Sequence, residues 1–177
     1  MENDSLKFIT GRSSCRDFTG QPLQHGDLER LMEAARWAPS AGNRQPWHCY
    51  AVLNTHLKAA LARAAYNQTF VGDAAVVFAV CADPEESAQR YGERGRALYV
   101  YQDTANFGEN LMLSATALGY GSCWVGAFDE KEVSRVLNLP KNLRPVALIL
   151  VGPSRPNPQR SPRKPLSKTF TVIAEED

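Results

Sequence analysis

The chain has 177 residues, of which 44% are hydrophobic and 22% are charged, and its 20 basic and 19 acidic residues leave a formal net charge of +1. These values favour one globular domain with a sizeable core, and the near-neutral charge disfavours nucleic acid as a partner. The four cysteines are far apart and form no C-x-x-C pair, which argues against a zinc site and a dense disulfide framework. No apolar run could span a membrane, so we expect no membrane partner and a cytoplasmic location.

The N-terminal part of the chain predicts two helices. A short helix is expected over Asp4 to Thr10, with Leu6, Ile9 and Phe8 facing inward and a glycine as the stop signal. A second helix, over Asp27 to Trp37, has the clearest pattern in the sequence. Its apolar residues recur at helical spacing while charged residues occupy the other face.

Two strands and a charged segment follow. Trp47 to Leu53 alternates loosely and predicts a strand, after which Thr55 is expected to cap the next helix. Ala74 to Ala82 is apolar throughout, which predicts a central strand covered on both faces. The charged segment Pro84 to Ala97 is compatible with either a helix or a mobile loop.

The second half of the chain begins with a long helix predicted over Leu98 to Leu118. Apolar and small residues wrap most of its circumference, so the helix is expected either at the domain centre or at a subunit interface. Asp129 and Glu132 predict a capping box for a helix ending near Asn138. Pro145 to Val151 is strongly apolar and predicts another buried strand. The basic, proline-rich tail predicts an extended segment, either solvated or lying along another surface.

Three stretches have the composition of ligand-binding loops. Arg12 to Phe18 offers two arginines four residues apart with two hydroxyls between them, which suits anion binding, and a solvated loop is the alternative. Pro39 to Trp47 holds donors and acceptors between two prolines, and an ordinary connector is the alternative. The glycines of Gly119 to Phe128 allow close approach of backbone to a ligand, or a tight turn into a buried strand.

The sequence signatures of several enzyme classes are absent. There is no G-x-x-x-x-G-K-[ST], no G-x-G-x-x-G after a strand and no G-x-S-x-G, which argues against nucleotidases of the P-loop type and against hydrolases. The three histidines lack metal-ligand spacing, and the apolar neighbours of Cys123 argue against a cysteine nucleophile. The remaining arginines, amides and glycine-rich backbone suit a phosphate-bearing cofactor that performs the chemistry itself.

Taken together, these stretches resemble the nitroreductase family of flavin oxidoreductases. Arg12 to Phe18 resembles the family's R-x-S-x-R-x-F motif, and Ala38 to Trp47 is similar to its A-P-S-x-x-N-x-Q-P-W segment. Gly119 to Phe128 resembles its L-G-x-G-x-x-W-x-G-x-F turn, and the R-K-P-L sequence from Arg163 resembles its basic C-terminal end. Each match alone is weak, but four matches in register over nearly the whole chain are specific.

The resemblance implies an α+β fold with a mostly antiparallel central sheet flanked by helices, assembled as an intertwined homodimer with active sites at the subunit interface. It implies one nitroreductase-like domain over residues 1–177, in which residues 153–177 form an extended C-terminal arm that reaches onto the partner. It also implies FMN as the cofactor, NADH or NADPH as the electron donor and a small-molecule electron acceptor.

The site residues are carried over from the family's motifs. The resemblance implies that Arg12 and Arg163 hold the FMN phosphate and that Arg16, facing the pyrimidine edge, stabilises the reduced flavin by its fixed charge. No residue receives a certain acid–base role, because flavin N5 does the chemistry. Residues of the Pro39 to Trp47 loop would approach the partner subunit's flavin, Asn67 would form a hydrogen bond with the ring, and the Gly119 to Phe128 turn would line the ring. The further implied cofactor-binding residues are Ser13, Ser14, Pro39, Ser40, Ala41, Asn43, Gln45, Asn67, Trp124, Val125, Gly126, Ala127 and Lys164. Ser161 stands where many relatives carry a lysine, so we expect one phosphate contact to be either lost or shifted to Arg160.

The predicted activity is transfer of hydride or electrons from NAD(P)H through FMN to nitro compounds, quinones or similar acceptors, with ping-pong kinetics because one slot is used twice. Two alternatives use the same FMN scaffold: a dedicated metabolite dehydrogenase or dehalogenase, and a non-catalytic flavin-binding protein. An RNA-associated protein is a further alternative, disfavoured by the neutral charge and by the lack of interleaved aromatics in the basic tail.

Overall fold

The computed structural model describes residues 6–155 and 161–173. Within these ranges the chain forms one four-stranded antiparallel sheet with helices packed on both faces, so the predicted α+β architecture is confirmed. The strands are β1 (Trp47–Val52), β2 (Val76–Ala82), β3 (Gly121–Val125) and β4 (Arg144–Gly152), in the spatial order β1-β2-β4-β3.

The helices connect these strands and cover them. They are α1 (Lys7–Gly11), α2 (Asp27–Arg36), α3 (Thr55–Ala64), α4 (Phe70–Asp73), α5 (Pro84–Arg94), α6 (Val100–Ala117) and α7 (Glu130–Leu137). A π-helical turn over Gly95–Tyr99 joins α5 to α6, and short 3₁₀ turns occur at Ala41–Asn43 and Leu166–Lys168. The charged segment before α6 is therefore helical.

The core has two halves, one on each face of the sheet. All seven residues of β2 are buried, as predicted for a central strand, because β1 and β4 pair with its two edges and helices cover its faces. Val77 and Leu148 point to the half that also contains residues of α3, α4 and α7. Phe78 and Ile149, which are directly paired across the sheet, point to the half formed with α2 and α6.

The expectation that α1 buries its apolar residues is wrong for the described chain. Leu6 is 60% exposed, Phe8 is 38% exposed and Ile9 is 46% exposed. The reason is that this five-residue helix packs beside α6 and not over the sheet, so it has too little cover to bury a face. Asp4, the predicted start of the helix, lies outside the described residues.

Two predicted helix caps differ in detail from the structure. Asn54, not Thr55, caps α3, because its backbone is extended and its side chain accepts a hydrogen bond from the Leu57 amide at 3.0 Å. Asp129 caps α7 as predicted, and its Oδ1 accepts from two backbone amides. The reciprocal half of the capping box is not seen among the described residues, since the Glu132 carboxylate pairs with Arg135 at 2.7 Å.

The long helix α6 has one buried and one exposed side. Phe107, Leu111 and Ala115 are buried against the sheet, whereas Asn106 and Glu109 are exposed. Within the described ranges, no helix is long and apolar enough to cross a membrane, and no group of His, Cys, Asp and Glu side chains could hold a metal ion. The four cysteines are free thiols.

Candidate active site

The arginine-containing segment lies along β3, which is an edge strand of the sheet. Ser14 forms a parallel bridge with Ser122, and the Cys15 amide donates to the Ser122 carbonyl at 2.8 Å. Cys15 and Phe18 are 4% and 5% exposed and anchor the segment in the core. These anchors fix the backbone, so that the polar side chains between and before them are presented at one edge of the sheet.

A cavity of about 1050 Å³ opens beside this segment. It brings together six of the residues predicted to bind the cofactor, which come from the N-terminal segment, from β3 and from the C-terminal region. The lining residues are Ile9, Thr10, Arg12, Ser13, Ser14, Arg16, Glu109, Met112, Trp124, Ser161, Pro162 and Arg163. One part of the wall is therefore cationic and rich in hydroxyls, and another part is apolar.

The charge of this cavity is predominantly positive. In the part of the chain that the structure describes, neither Arg12 nor Arg16 forms an ion pair. Asp17, the acid nearest in sequence, instead pairs with Arg155 at 2.5 Å. Because cations without a carboxylate partner attract anions, this geometry favours an anion site over the alternative of a self-neutralised solvated loop. Glu109 is the one carboxylate among the described lining residues.

Trp124 supplies the flat apolar wall, and its position depends on Gly108 of α6. A Cβ atom added at Gly108 would lie 2.4 Å from Cζ3 of Trp124 and 2.8 Å from Cδ1 of Ile149. A glycine at this point of α6 therefore lets the helix and the indole come into direct contact. Val125, the next residue, points to the opposite face of the sheet, where its side chain is buried in the core.

The turn that contains Asn67 lies near the end of β3. The Gln68 side-chain amide donates to the Ala127 carbonyl at 3.1 Å, so this turn and the Gly126–Ala127 backbone are neighbours. Arg16 approaches the same region, since its guanidinium carbon lies 5.9 Å from the ring centroid of Phe70 at the start of α4. Asn67 itself adopts a left-handed backbone conformation and is exposed.

The loop from Pro39 to Gln45 does not contribute to this cavity in the described chain. It packs between α5 and α6: the Ala41 amide donates to Asp103 Oδ1 at 3.0 Å, and the Asn106 side chain donates to the Pro39 carbonyl at 3.3 Å. Asp103 is 4% exposed and its other oxygen has no partner among the described residues. Burial raises the pKa of this carboxyl, while the Ala41 N–H lowers it.

The backbone of the same loop is strained. Gly42, Asn43 and Gln45 have φ values of 55°, 56° and 50°, and such conformations are uncommon for residues other than glycine. The loop compensates through internal bonds: Ser40 Oγ accepts from the Gln45 amide at 2.9 Å, and the Gln45 side chain donates to Asn43. An ordinary connector needs no such strain, which favours a functional loop.

The remaining predicted residues are placed as follows. Lys164 is exposed and is not among the lining residues, whereas Arg163 lines the cavity and donates to the Ser161 carbonyl at 2.9 Å. Arg160, to which the missing lysine contact could have shifted, lies outside the described residues. Cys123 is 1% exposed, and burial raises the pKa of its thiol, which agrees with the prediction that it is not a nucleophile.

Six residues of the cavity wall were not among the predicted cofactor-binding residues: Ile9, Thr10, Glu109, Met112, Ser161 and Pro162. Glu109 gave a signal, because it is a charged residue inside an otherwise apolar stretch of α6. Ile9 and Met112 gave none, because an apolar residue on a helix is ordinarily a core residue.

Comparison with known proteins shows which family the chain belongs to. The chain matches the Nitroreductase family over residues 9–73 and 61–153. The chain belongs to the nitroreductase family. The family assignment predicted from the four motifs is thereby confirmed.

Three nitroreductase-related proteins illustrate the similarity. An Archaeoglobus fulgidus protein provisionally named NADH dehydrogenase/NAD(P)H nitroreductase is 31% identical over 153 residues, covering 84% of each chain. The NADPH-dependent FMN reductase of Bacillus subtilis is 25% identical over 95% of this chain and 73% of its own. The crystal structure of nitroreductase A from Vibrio parahaemolyticus superposes with a TM-score of 0.88 at 26% identity, covering all of this chain and 78% of that one.

Proposed function

We propose that this chain is an FMN-dependent oxidoreductase that takes reducing equivalents from NADH or NADPH and delivers them to a nitro compound, a quinone or a similar small acceptor. The observation that carries the proposal is the cavity in which Arg12, Arg16 and Arg163 lie beside the indole of Trp124. Family membership and the names of the relatives, an NAD(P)H nitroreductase and an FMN reductase, support the same donor and cofactor.

The residues of the cavity fit FMN. A phosphate dianion requires cations and hydrogen-bond donors, and the cationic wall offers Arg12 and Arg163 together with the hydroxyls of Ser13 and Ser14. A flat aromatic ring requires an apolar surface, which Trp124 provides. The volume of about 1050 Å³ is slightly larger than the roughly 300–1,000 Å³ typical of ligand pockets, so there is room for a cofactor and a small second molecule.

When bound, FMN would supply the hydride and electron chemistry at N5. The chain's own residues would bind and orient it: the arginines fix its anionic end, and Trp124 limits the movement of its ring. Arg16 would supply a fixed positive charge, held beside Phe70, which stabilises negative charge that develops near it without transferring a proton. Donor and acceptor would use one slot in turn, which predicts ping-pong kinetics.

We further propose that the chain is one domain over residues 1–177, with residues 153–177 acting as an arm on a second copy in a homodimer. Exposed apolar side chains of the arm support this: Leu166 is 75%, Phe170 is 69% and Ile173 is 94% exposed. Leaving such side chains in water is unfavourable, and clustered ones mark interfaces. The Pro39–Gln45 loop, which lies away from the cavity of its own chain, would then serve the partner's FMN.

The decisive experiment is the visible absorption spectrum of the purified protein before and after NADH or NADPH is added. We expect a yellow protein that bleaches with at least one donor, recovers its colour with a nitroaromatic or quinone acceptor, and gives parallel double-reciprocal plots. A colourless protein that does not take up FMN would overturn the proposal. Light scattering tests the dimer: a chain ending at Pro165 should be monomeric and bind FMN poorly, and a stable FMN-loaded monomer of the full chain would refute this part.

A further inference from the structure

We propose that Arg90 and Arg94 form a binding site for a phosphate monoester of a nucleotide, and that this site makes the enzyme prefer NADPH to NADH. With Tyr91 and Tyr99 they form what we call the arginine–tyrosine cluster, which lies on α5 and the π-helical turn, outside the cavity described above. The inference rests on the proposed function for the identity of the donor, but the phosphate site can be tested without turnover.

The two guanidinium groups of the cluster are held in place by aromatic rings. The Arg90 guanidinium carbon lies 5.5 Å from the ring centroid of Tyr91. The Arg94 guanidinium carbon lies 5.2 Å from that of Tyr99, and its Nε donates to the Tyr99 hydroxyl at 2.8 Å. The two rings meet edge to face with centroids 5.1 Å apart. Such stacking orders the arginines without neutralising their charge.

The carboxylates near the cluster are already paired with other cations. Glu85 and Glu93 both pair with Arg96, at 2.7 Å and 3.1 Å, and Glu86 pairs with Arg44 at 2.6 Å. In the described ranges, neither arginine of the cluster has an acidic partner. The cluster therefore keeps two positive charges, with planar donors suited to phosphate oxygens.

The cluster contacts the loop that the proposed function assigns to the cofactor. A Cβ atom added at Gly42 would lie 2.4 Å from Tyr91 Oη and 2.9 Å from Arg90 Nη1. A dinucleotide whose nicotinamide approached a flavin beside this loop could therefore extend its adenosine end along the loop toward the cluster. NADPH carries a phosphate monoester on its adenosine ribose and NADH does not, so the added charge would be recognised only in NADPH.

The test uses the FMN-loaded protein with Arg90→Ala, Arg94→Ala and, as a matched control, Arg135→Ala, which removes an exposed, ion-paired arginine of α7 and leaves the ion pairs of Glu85 and Glu93 with Arg96 intact. Calorimetric titration with 2′,5′-ADP and 5′-AMP measures the phosphate site directly. We expect each cluster variant to bind 2′,5′-ADP about tenfold more weakly, with 5′-AMP unaffected. The KM for NADPH should rise about tenfold at constant kcat, while the KM for NADH stays constant. Arg94→Lys should restore part of the loss.

Four results would overturn the inference: equal affinity of the wild type for the two nucleotides, 2′,5′-ADP affinity unchanged in both cluster variants, the same loss in Arg135→Ala, or loss of bound FMN from the cluster variants. The calorimetry separates this inference from the proposed function. If the cluster variants bind 2′,5′-ADP more weakly but the wild-type protein oxidises neither NADH nor NADPH, the phosphate site is supported and the proposed oxidoreductase activity is refuted. Turnover with both donors at unaltered selectivity in the variants would refute the site alone. Competition by inorganic phosphate at matched concentration distinguishes a general anion site from one that reads the nucleotide.

Discussion

Replacing Gly108 with alanine tests whether α6 positions the wall of the cavity. The added Cβ would lie 2.4 Å from Trp124 Cζ3 and 2.8 Å from Ile149 Cδ1, whereas carbon atoms in contact are about 3.5–4.0 Å apart. Ile149 is fully buried, whereas Trp124 is half-buried and borders the cavity, so we expect the indole to shift by about 1 Å toward the cavity. Overpacking of this kind costs about 1–3 kcal/mol, partly offset by about 1 kcal/mol from removing a helical glycine.

We therefore expect Gly108→Ala to lower the free energy of unfolding by about 1 kcal/mol and to weaken FMN binding by about tenfold. Urea unfolding and quenching of FMN fluorescence measure the two effects. Gly72→Ala is the matched control, because Gly72 also lies in a helix but no heavy atom lies within 4 Å of a Cβ added there. It should leave FMN affinity unchanged and raise the free energy of unfolding by up to about 1 kcal/mol. The smaller ring of Trp124→Phe should recover stability in the Gly108→Ala background. A Gly108→Ala protein as stable as the wild type, with unaltered FMN affinity, would refute the reasoning.

Three further variants probe individual charges. Arg12→Ala should weaken FMN binding by about ten- to hundredfold, since a charged hydrogen bond contributes about 1.5–3 kcal/mol, whereas Arg135→Ala on α7 should not; equal losses in equilibrium dialysis would contradict the phosphate assignment. Arg16→Ala should lower the flavin reduction potential, measured with reference dyes, and Arg16→Lys should lower it less because the positive charge is kept. An unchanged potential in Arg16→Ala would show that Arg16 does not stabilise the reduced flavin. Burial raises the pKa of Asp103, so the folded state holds its proton more tightly and stability at this site falls as pH rises from about 3.9 through the folded-state value. Asp103→Asn should therefore gain stability over wild type at neutral pH and lose that gain in acid, as measured by urea unfolding; a gain independent of pH would contradict the shift.

The sequence predicted the elements whose patterns reflect burial directly. The seven consecutive apolar residues of Val76–Ala82, rich in β-branched side chains, are typical of a strand covered on both faces, and this strand is central in the sheet. Leu31 and Ala35 recur at helical spacing, and both are fully buried in α2. The grouping of Arg12, Arg16 and Arg163 came from the family's motifs and not from periodicity, because the residues that converge are some 150 positions apart in the chain.

Other features depend on tertiary contacts that leave no local pattern. Leu6 and Ile9 have the spacing of a buried face, yet α1 packs only beside α6, which covers too little of it to bury either side chain. Thr55 and Asn54 are both good cap residues, and only the backbone geometry shows that the asparagine precedes the first helical turn. The bond from Ala41 to Asp103 joins residues 62 positions apart, so no sequence window contains both.

Helix α6 links the two halves of the proposed site. Near its beginning, Asp103 and Asn106 hold the strained Pro39–Gln45 loop, and one turn later Gly108 and Glu109 face the cavity or the indole that lines it. The two regions are separated by about 5 Å along the helix axis. If the loop serves the FMN of a second copy, as proposed, then the exposed side of α6 must lie at the interface, because each cavity needs the partner's loop within reach of its own Trp124.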